Sequence, residues 1–370
     1  MALQHRTAAG ATDADLLVAA LRGDRFDPAT TPSPTTQLVF AAQHHGVLLP
    51  LRRAYRAGFE GAGNDMLTTT ARLLRSLSLR IAREAIVVSE VLRAADIRHA
   101  IVKGPAIATA YTNEDREFVD LDVLVAPREM SRAISQLERH GAVVLEDEGW
   151  PRSDGVGELG LGLPSGVAVD LHADLIHRPE VRRHFAFSVE PLLERATTAA
   201  VLDSEIPVLS PEDSCTYVAL HAAISGGDRL IWFADLDALV RQGGIDWEML
   251  IRRARDAKLA LVVGVMLQRA ATVVGTPVPE DVLTELQRRG RLWSRLVAGF
   301  ESRRPVAANH GRLVRGQILV RSTRSSTLLS ALELGRLIWR DVIMFVLTDS
   351  GHPWRARLRD RVRAVADKRR

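Results

Sequence analysis

Apolar residues recur at helical spacing over the first hundred positions, alternate in twos after position 98, and return to helical spacing after position 210. In the first stretch, the amphipathic run DLLVAALRGD begins beside Asp13, a residue suited to capping a helix start. A Pro/Thr-rich linker (DPATTPSPTT) follows, and helical patterns then cover 37–57 and 65–95. HAIVKG reads as a short buried strand ending in a turn at Gly104, and PAIATAYT opens with Pro105, where a helix loses no hydrogen bond. FVDLDVLV is a β-branched, apolar strand around two acids. PREMSRAISQLERHG is an amphipathic helix closed by Gly141, and AVVLEDE is a further strand. ELGLGLPSGVAVDLHADL is a hairpin, two alternating runs about Pro164-Ser165-Gly166. The order over 98–175 is β-α-β-α-β-β-β, a small mixed unit. Beyond Ser210, helices start at Pro211, after Asp228 and at Asp246-Trp247, with a break over 275–279. The expected class is α+β with three parts: an N-terminal helical domain (1–97), an α/β core (98–205) and a C-terminal helical domain (206–370).

Composition narrows this frame only modestly. The 370 residues suffice for two or three hydrophobic cores, and 46% apolar with 25% charged residues is ordinary for a globular chain. Of the 49 basic residues only Lys103, Lys258 and Lys368 are lysines, an Arg-rich and Ala-rich usage that suggests a GC-rich bacterial genome. The single cysteine, Cys215, excludes an intrachain disulfide and a cysteine-based zinc site. The N-terminus lacks an apolar stretch behind basic residues, and no run of about 18 apolar residues occurs. Leu328–Leu347, the nearest approach, is interrupted by Glu333, Arg336, Arg340 and Asp341. A reducing, cytoplasmic setting is therefore expected, with no membrane partner and no stable nucleic-acid partner.

The candidate chemistry lies in the alternating segment. Asp120 and Asp122 stand two apart on the expected strand, so both carboxylates leave one face while Leu121 and Val123 enter the core. Two carboxylates on one face repel unless a cation lies between them, and Mg²⁺ is the default hard cation, with Mn²⁺ the other candidate. A bare pair of this kind is more often a solvated strand edge. Three neighbours change the balance. Lys103-Gly104 falls where a strand becomes a helix, a turn suited to approaching phosphate. Arg116, four residues before Asp120, is placed to pair with an acid or a phosphate, although a surface arginine is as good a reading of it alone. Asp170 and His172 form a second pair on the last hairpin strand: Asp170 as third ligand or as base, His172 as phosphate binder or as the residue orienting Asp170.

The string VKGPAIATAY…R…DLDVLV…HGA…VDLH resembles the bacterial uncharacterised nucleotidyltransferase family, a branch of the DNA polymerase β-like nucleotidyltransferase superfamily. The likeness extends to QHHGVLLPL upstream and to LHAAISGGDRLIWFADLDALVRQGGIDWEML downstream, and covers roughly 12–285. It implies a polymerase β-like core with a mixed sheet. It also implies a nucleoside triphosphate substrate, metal held by Asp120, Asp122 and Asp170, and phosphate contacts from Lys103 and Gly104. His221 and Asp235 would line the substrate side of the cleft, while Trp232, Trp247 and Asp246 read as two core tryptophans and a helix cap. The superfamily usually places Gly-Ser at the phosphate turn, whereas Pro105 follows Gly104 here, so a hydroxyl contact is missing.

The chemistry this implies is transfer of a nucleoside monophosphate to an acceptor that the sequence leaves open. Two rivals share the features: a nucleotide-sugar-dependent glycosyltransferase holding Mn²⁺ on its D-x-D, and a binding module of the same fold with an inactive site. The arginine-rich 355–370 is compatible with an anionic membrane surface or nucleic acid, but a solvated amphipathic helix end is the better reading.

Overall fold

The computed structural model describes residues 11–113, 115–145, 157–176, 182, 185–225, 227, 229–293, 295–296 and, further on, 328–332, 335–336 and 339. Asp228, most of Leu328–Leu347 and the basic segment 355–370 lie outside the described residues.

Four helices lead the chain: α1 (Asp13–Leu21), α2 (Thr36–His45), α3 (Leu48–Ala54) and α4 (Ala62–Ala94). Thr12, rather than Asp13, caps α1, in a reciprocal arrangement with Asp15. Asp13 occupies the first turn, where its charge still favours the helix. The expected helix 37–57 is broken at Gly46, whose left-handed backbone (φ 66°) ends α2.

The mixed unit follows as β1 (His99–Ile101), α5 (Pro105–Ala108), β2 (Leu121–Val125), a 3₁₀ turn (Pro127–Glu129), α6 (Met130–Arg139), β3 (Val143–Val144), β4 (Glu158–Gly162) and β5 (Ala168–His172). Of the expected strand AVVLEDE only Val143–Val144 pairs, and positions beyond Leu145 fall outside the described residues. A short helix α7 (Val189–Glu194) leads to a second hairpin, β6 (Thr197–Val201) and β7 (Ser204–Val208). That hairpin, unread in the sequence, completes a seven-stranded sheet in the order β3-β4-β5-β2-β1-β7-β6. β2 runs parallel to β5 and antiparallel to β1, and β1 runs parallel to β7, so the sheet is mixed. Helices α8 (Pro211–Ile224), α9 (Leu230–Gln242), α10 (Trp247–Asp256), α11 (Ala260–Val273) and α12 (Glu280–Gln287) follow. Asp246 caps α10 by accepting from the Met249 amide, as expected.

Two apolar clusters flank the sheet, and strand parity assigns the side chains between them. Leu121, Val123 and Val125 of β2 and Val169 and Leu171 of β5 pack with Ile81, Ala85 and Leu92 of α4 and with Ala133, Ile134 and Leu137 of α6. Leu124 and Ala126 belong to the other cluster, which joins the leading helices to Tyr217, Leu220, Phe233, Leu236 and the helices beyond. The N- and C-terminal helices thus share one continuous core. Asp122, Asp170 and His172 have the parity of Leu124, so they stand on the face covered by α8 and α9 rather than by α4 and α6.

Candidate active site

The parallel pairing of β2 with β5 sets Asp122 directly opposite Asp170 and Leu124 opposite His172. Two neighbouring parallel strands therefore deliver two acids and a histidine to one face. Asp120 precedes the first paired residue of β2, Leu121, so it lies in the approach to the strand. Asp120 and Asp122 both line a cleft of about 390 Å³ whose other walls include Lys103, Gly104, Arg116, His221, Arg229, Trp232 and Asp235. Asp170 stands beside Asp122 on the neighbouring strand and is not among the residues that line this cleft.

Asp122 is the hub. Its Oδ1 lies 2.7 Å from Lys103 Nζ and 2.9 Å from His172 Nε2. The Asp122 and His172 side chains are almost fully buried, and the Lys103 side chain is 19% exposed. Burial alone would raise the Asp122 carboxyl, but Lys103 and His172 hold it well below the usual carboxylate range. Lys103, expected at the phosphate turn, points its ammonium at the Asp122 carboxylate. His172, expected to bind phosphate or to orient Asp170, engages Asp122 across the strand pair.

The other acids behave in the opposite way. Burial, followed by the charges of Glu158, Asp122 and Asp120, pushes the Asp170 carboxyl up to about 6. Burial and Asp122 likewise raise Asp120. Among the described residues no group of three potential ligands already stands at metal-binding distance, and Asp122 Oδ1 is engaged by Lys103 and His172. The donor chemistry still suits a hard divalent cation. All three groups offer carboxylate oxygen, and the mutual repulsion that raises Asp120 and Asp170 is what such a cation relieves.

Gly104 begins the turn after β1 with φ 50°, a conformation that disfavours any side chain, and a Cβ there would meet Phe118 and the Asp120 carbonyl at 3.5 Å. Pro105 is the first residue of α5, as expected, but that helix has only four residues. Its dipole is correspondingly weak, so the helix-terminus contribution to phosphate binding expected from the sequence is small.

Arg116 pairs with an acid, and the acid is Asp235 of α9. Its Nε lies 2.7 Å from Oδ1 and its Nη2 3.0 Å from Oδ2, a two-pronged ion pair that is almost buried. The Tyr111 hydroxyl donates to the same Oδ1 at 2.7 Å. Asp235 therefore lines the cleft while fastening the approach to β2 onto the C-terminal helices. His221 lies edge-on between Tyr217 and Trp232, with ring centroids 6.0 Å apart in each case. Trp232 is mostly buried, as a core reading expects, yet it also forms part of the cleft wall.

The QHHGV segment gains a physical explanation. Arg229 donates from Nε to the His44 carbonyl at 2.7 Å and lies 5.8 Å from the Trp232 ring centre. A Cβ on Gly46 would come within 3.1 Å of Ile231. α2 therefore ends against the start of α9, and Gly46 allows that approach. Glu117, in the cleft wall, accepts from the Leu48 and Leu49 amides at 3.0 and 3.1 Å, which caps the otherwise uncapped α3. Burial pushes its carboxyl up to about 7 from an ordinary 4.5. The folded chain then holds a proton that the unfolded chain has released, so this site's stability is complete below about 4.5 and is lost as pH rises to about 7. Glu117→Gln is expected to flatten the fall in thermal midpoint between pH 5 and pH 8; an unchanged slope would show that Glu117 does not titrate there.

Sequence reasoning missed Glu158, Tyr217, Tyr111 and Arg229. Tyr217 precedes His221 by four positions on one helix, a spacing that places both on one face and was readable. Glu158 reaches the site only because β4 pairs with β5 so that it stands opposite His172, a register that no local pattern announces.

No curated protein matches the chain. Among solved structures it is similar to an antigenic nucleotidyltransferase-like protein from Paracoccidioides brasiliensis, with 12% identity and a TM-score of 0.33, covering 61% of this chain and 88% of that one. It is also similar to the antibiotic-resistance factor ANT(2'')-Ia, with 12% identity and a TM-score of 0.29, covering 62% and 98%. A sequence model of the uncharacterised nucleotidyltransferase family matches residues 31–275. That match spans more than half of the chain and takes in Lys103, the three acids and the cleft wall, so the chain belongs to the uncharacterised nucleotidyltransferase family.

Proposed function

We propose that the cleft transfers a nucleoside monophosphate from a nucleoside triphosphate to an acceptor, in a metal-dependent reaction that releases pyrophosphate. The observation that carries this reading is the β2–β5 register, which sets Asp122 opposite Asp170 with Asp120 beside them on the cleft. Asp120 and Asp122 would hold the cation on the cleft side, and Asp170 would complete the set from the neighbouring strand. Bound there, Mg²⁺ would supply positive charge to the phosphate undergoing attack and to the departing pyrophosphate.

The chain's own groups do the remaining work. Lys103 and Arg229 bring positive charge to the cleft for the phosphates. Arg116 is held rigid by Asp235 and Tyr111, so it fixes the approach to β2. His172 keeps the Asp122 carboxylate oriented through Nε2. Trp232 and His221 add aromatic edges to the lining of the same cleft, where a base or an acceptor ring would meet them. The attacking oxygen displaces pyrophosphate at the α-phosphorus in line, a reaction for which positioning and charge suffice.

Thermal unfolding discriminates between the reactions. A nucleoside triphosphate with Mg²⁺ is expected to raise the midpoint by several degrees, since about 2.7 kcal/mol follows from a ligand at a hundred times its Kd. A UDP-sugar with Mn²⁺ is expected to leave it unchanged. Stabilisation by the UDP-sugar alone would point to glycosyl transfer instead.

A further inference from the structure

Lys103 sits where the proposed reaction needs a divalent cation. Its ammonium contacts Asp122 Oδ1 at 2.7 Å, while Asp120 and Asp170 make no ion pair among the described residues. One ammonium offsets one of three neighbouring carboxylates, whereas a dication offsets two. The amine is carried on an unbranched stem just before the Gly104 turn and lines the same cleft as Arg116 and Arg229. It can therefore leave Asp122 for a phosphate without any change in the backbone.

We propose that Lys103 is the counter-ion of Asp122 in the ligand-free protein: it holds Asp122 until a divalent cation takes that carboxylate, and then passes to the phosphates of the nucleotide. The proposal rests on the reading of the cleft as a metal-dependent nucleotidyltransferase site. It gives Lys103 a positioning role with two stations and couples the two ligands. Metal entering alone must displace an ammonium that has nowhere better to go. Nucleotide supplies that destination, so each ligand strengthens the binding of the other. It also explains why the acids do not stand ready as a ligand set.

The lysine count makes the test clean, because the sequence has only three lysines. Full-length protein carrying ¹³Cε-labelled lysine gives three side-chain signals, and Lys103→Met identifies the one of interest. Mg²⁺ alone is expected to shift that signal towards the solvated position, and a non-hydrolysable triphosphate to shift it again. A Lys103 signal unmoved by Mg²⁺ and nucleotide together would overturn the proposal.

Mn²⁺ affinity, read by water-proton relaxation, is the second measurement. Lys103→Met is expected to bind Mn²⁺ about tenfold more tightly than the native protein without nucleotide, and to lose most of the gain that nucleotide gives the native protein. Equal or weaker Mn²⁺ binding by the variant, with the native protein binding Mn²⁺, overturns the two-station lysine and leaves the metal reading standing. Absence of Mn²⁺ binding by both proteins, with and without nucleotide, overturns the metal reading and this proposal with it. If Lys103→Met does not fold, Lys258→Arg and Lys368→Arg identify the other two signals, and the labelled native protein still decides.

Discussion

Asp122→Asn is expected to lose both activity and stability, whereas Asp120→Asn loses activity alone. Asp122 accepts from Lys103 and His172 in a nearly dry position, with its own side chain 3% exposed. Removing its charge leaves a mostly buried ammonium without its counter-ion, a change that costs about 3 kcal/mol when the cation cannot reach solvent and less when it can. Asp120 is in the reverse situation. Its carboxyl is already held above the usual range by burial and by Asp122, so its charge opposes folding of the metal-free protein. Asn at that position relieves the repulsion, and the urea midpoint should hold or rise. Both variants are expected to lower the rate by on the order of a thousandfold, since each removes negative charge from the proposed cation site. Equal stability losses in the two variants would contradict the assignment of Asp122 as the hub.

The second large effect is expected at Asp235. Asp235→Ala removes the carboxylate partner of Arg116, which is almost buried with it, and the acceptor of the partly buried Tyr111 hydroxyl. Orphaning a buried guanidinium costs about 3–5 kcal/mol. The loss should appear as a lowered urea midpoint at unchanged slope if the whole chain unfolds together. It should also loosen the cleft, because this pair ties the approach to β2 onto α9. The double variant Arg116→Met with Asp235→Leu is expected to recover most of the stability and none of the activity, since apolar replacement satisfies the packing while leaving the cleft wall unfastened. Recovery of activity in the double variant would mean that the pair has no part in shaping the site.

Much of this site is legible in the sequence, and what is legible is local. The parity of FVDLDVLV separates Asp122 from Leu121 and Val123, and the structure sends the two sets to opposite faces of the sheet. The hairpin about Pro164-Ser165-Gly166 and the turn at Gly104 follow from their residues in the same way. The missing parts depend on pairing between distant strands. Thr197–Val208 is rich in alanine and threonine and carries Pro207, so it has little strand character alone; it becomes strand by joining β1, more than a hundred residues upstream. His172 was readable as a phosphate binder or as the residue orienting Asp170; that sheet order would bring it to Asp122 was not. Arg116 was readable as a residue seeking an acid. That the acid would be Asp235, 119 positions away, was not.

The central claim is that these acids serve transfer from a nucleoside triphosphate, and following the label tests it most directly. Native protein and Asp120→Asn are each incubated with Mg²⁺, a nucleoside triphosphate labelled at the α-phosphate and a panel of hydroxyl and phosphate acceptors. The products are weighed by mass spectrometry. The expected result is an acceptor heavier by one nucleoside monophosphate, label retained, with one pyrophosphate released per transfer and neither product formed by Asp120→Asn. An acceptor that instead gains only the γ-phosphate, or a sugar when a nucleotide-sugar is supplied, would contradict it.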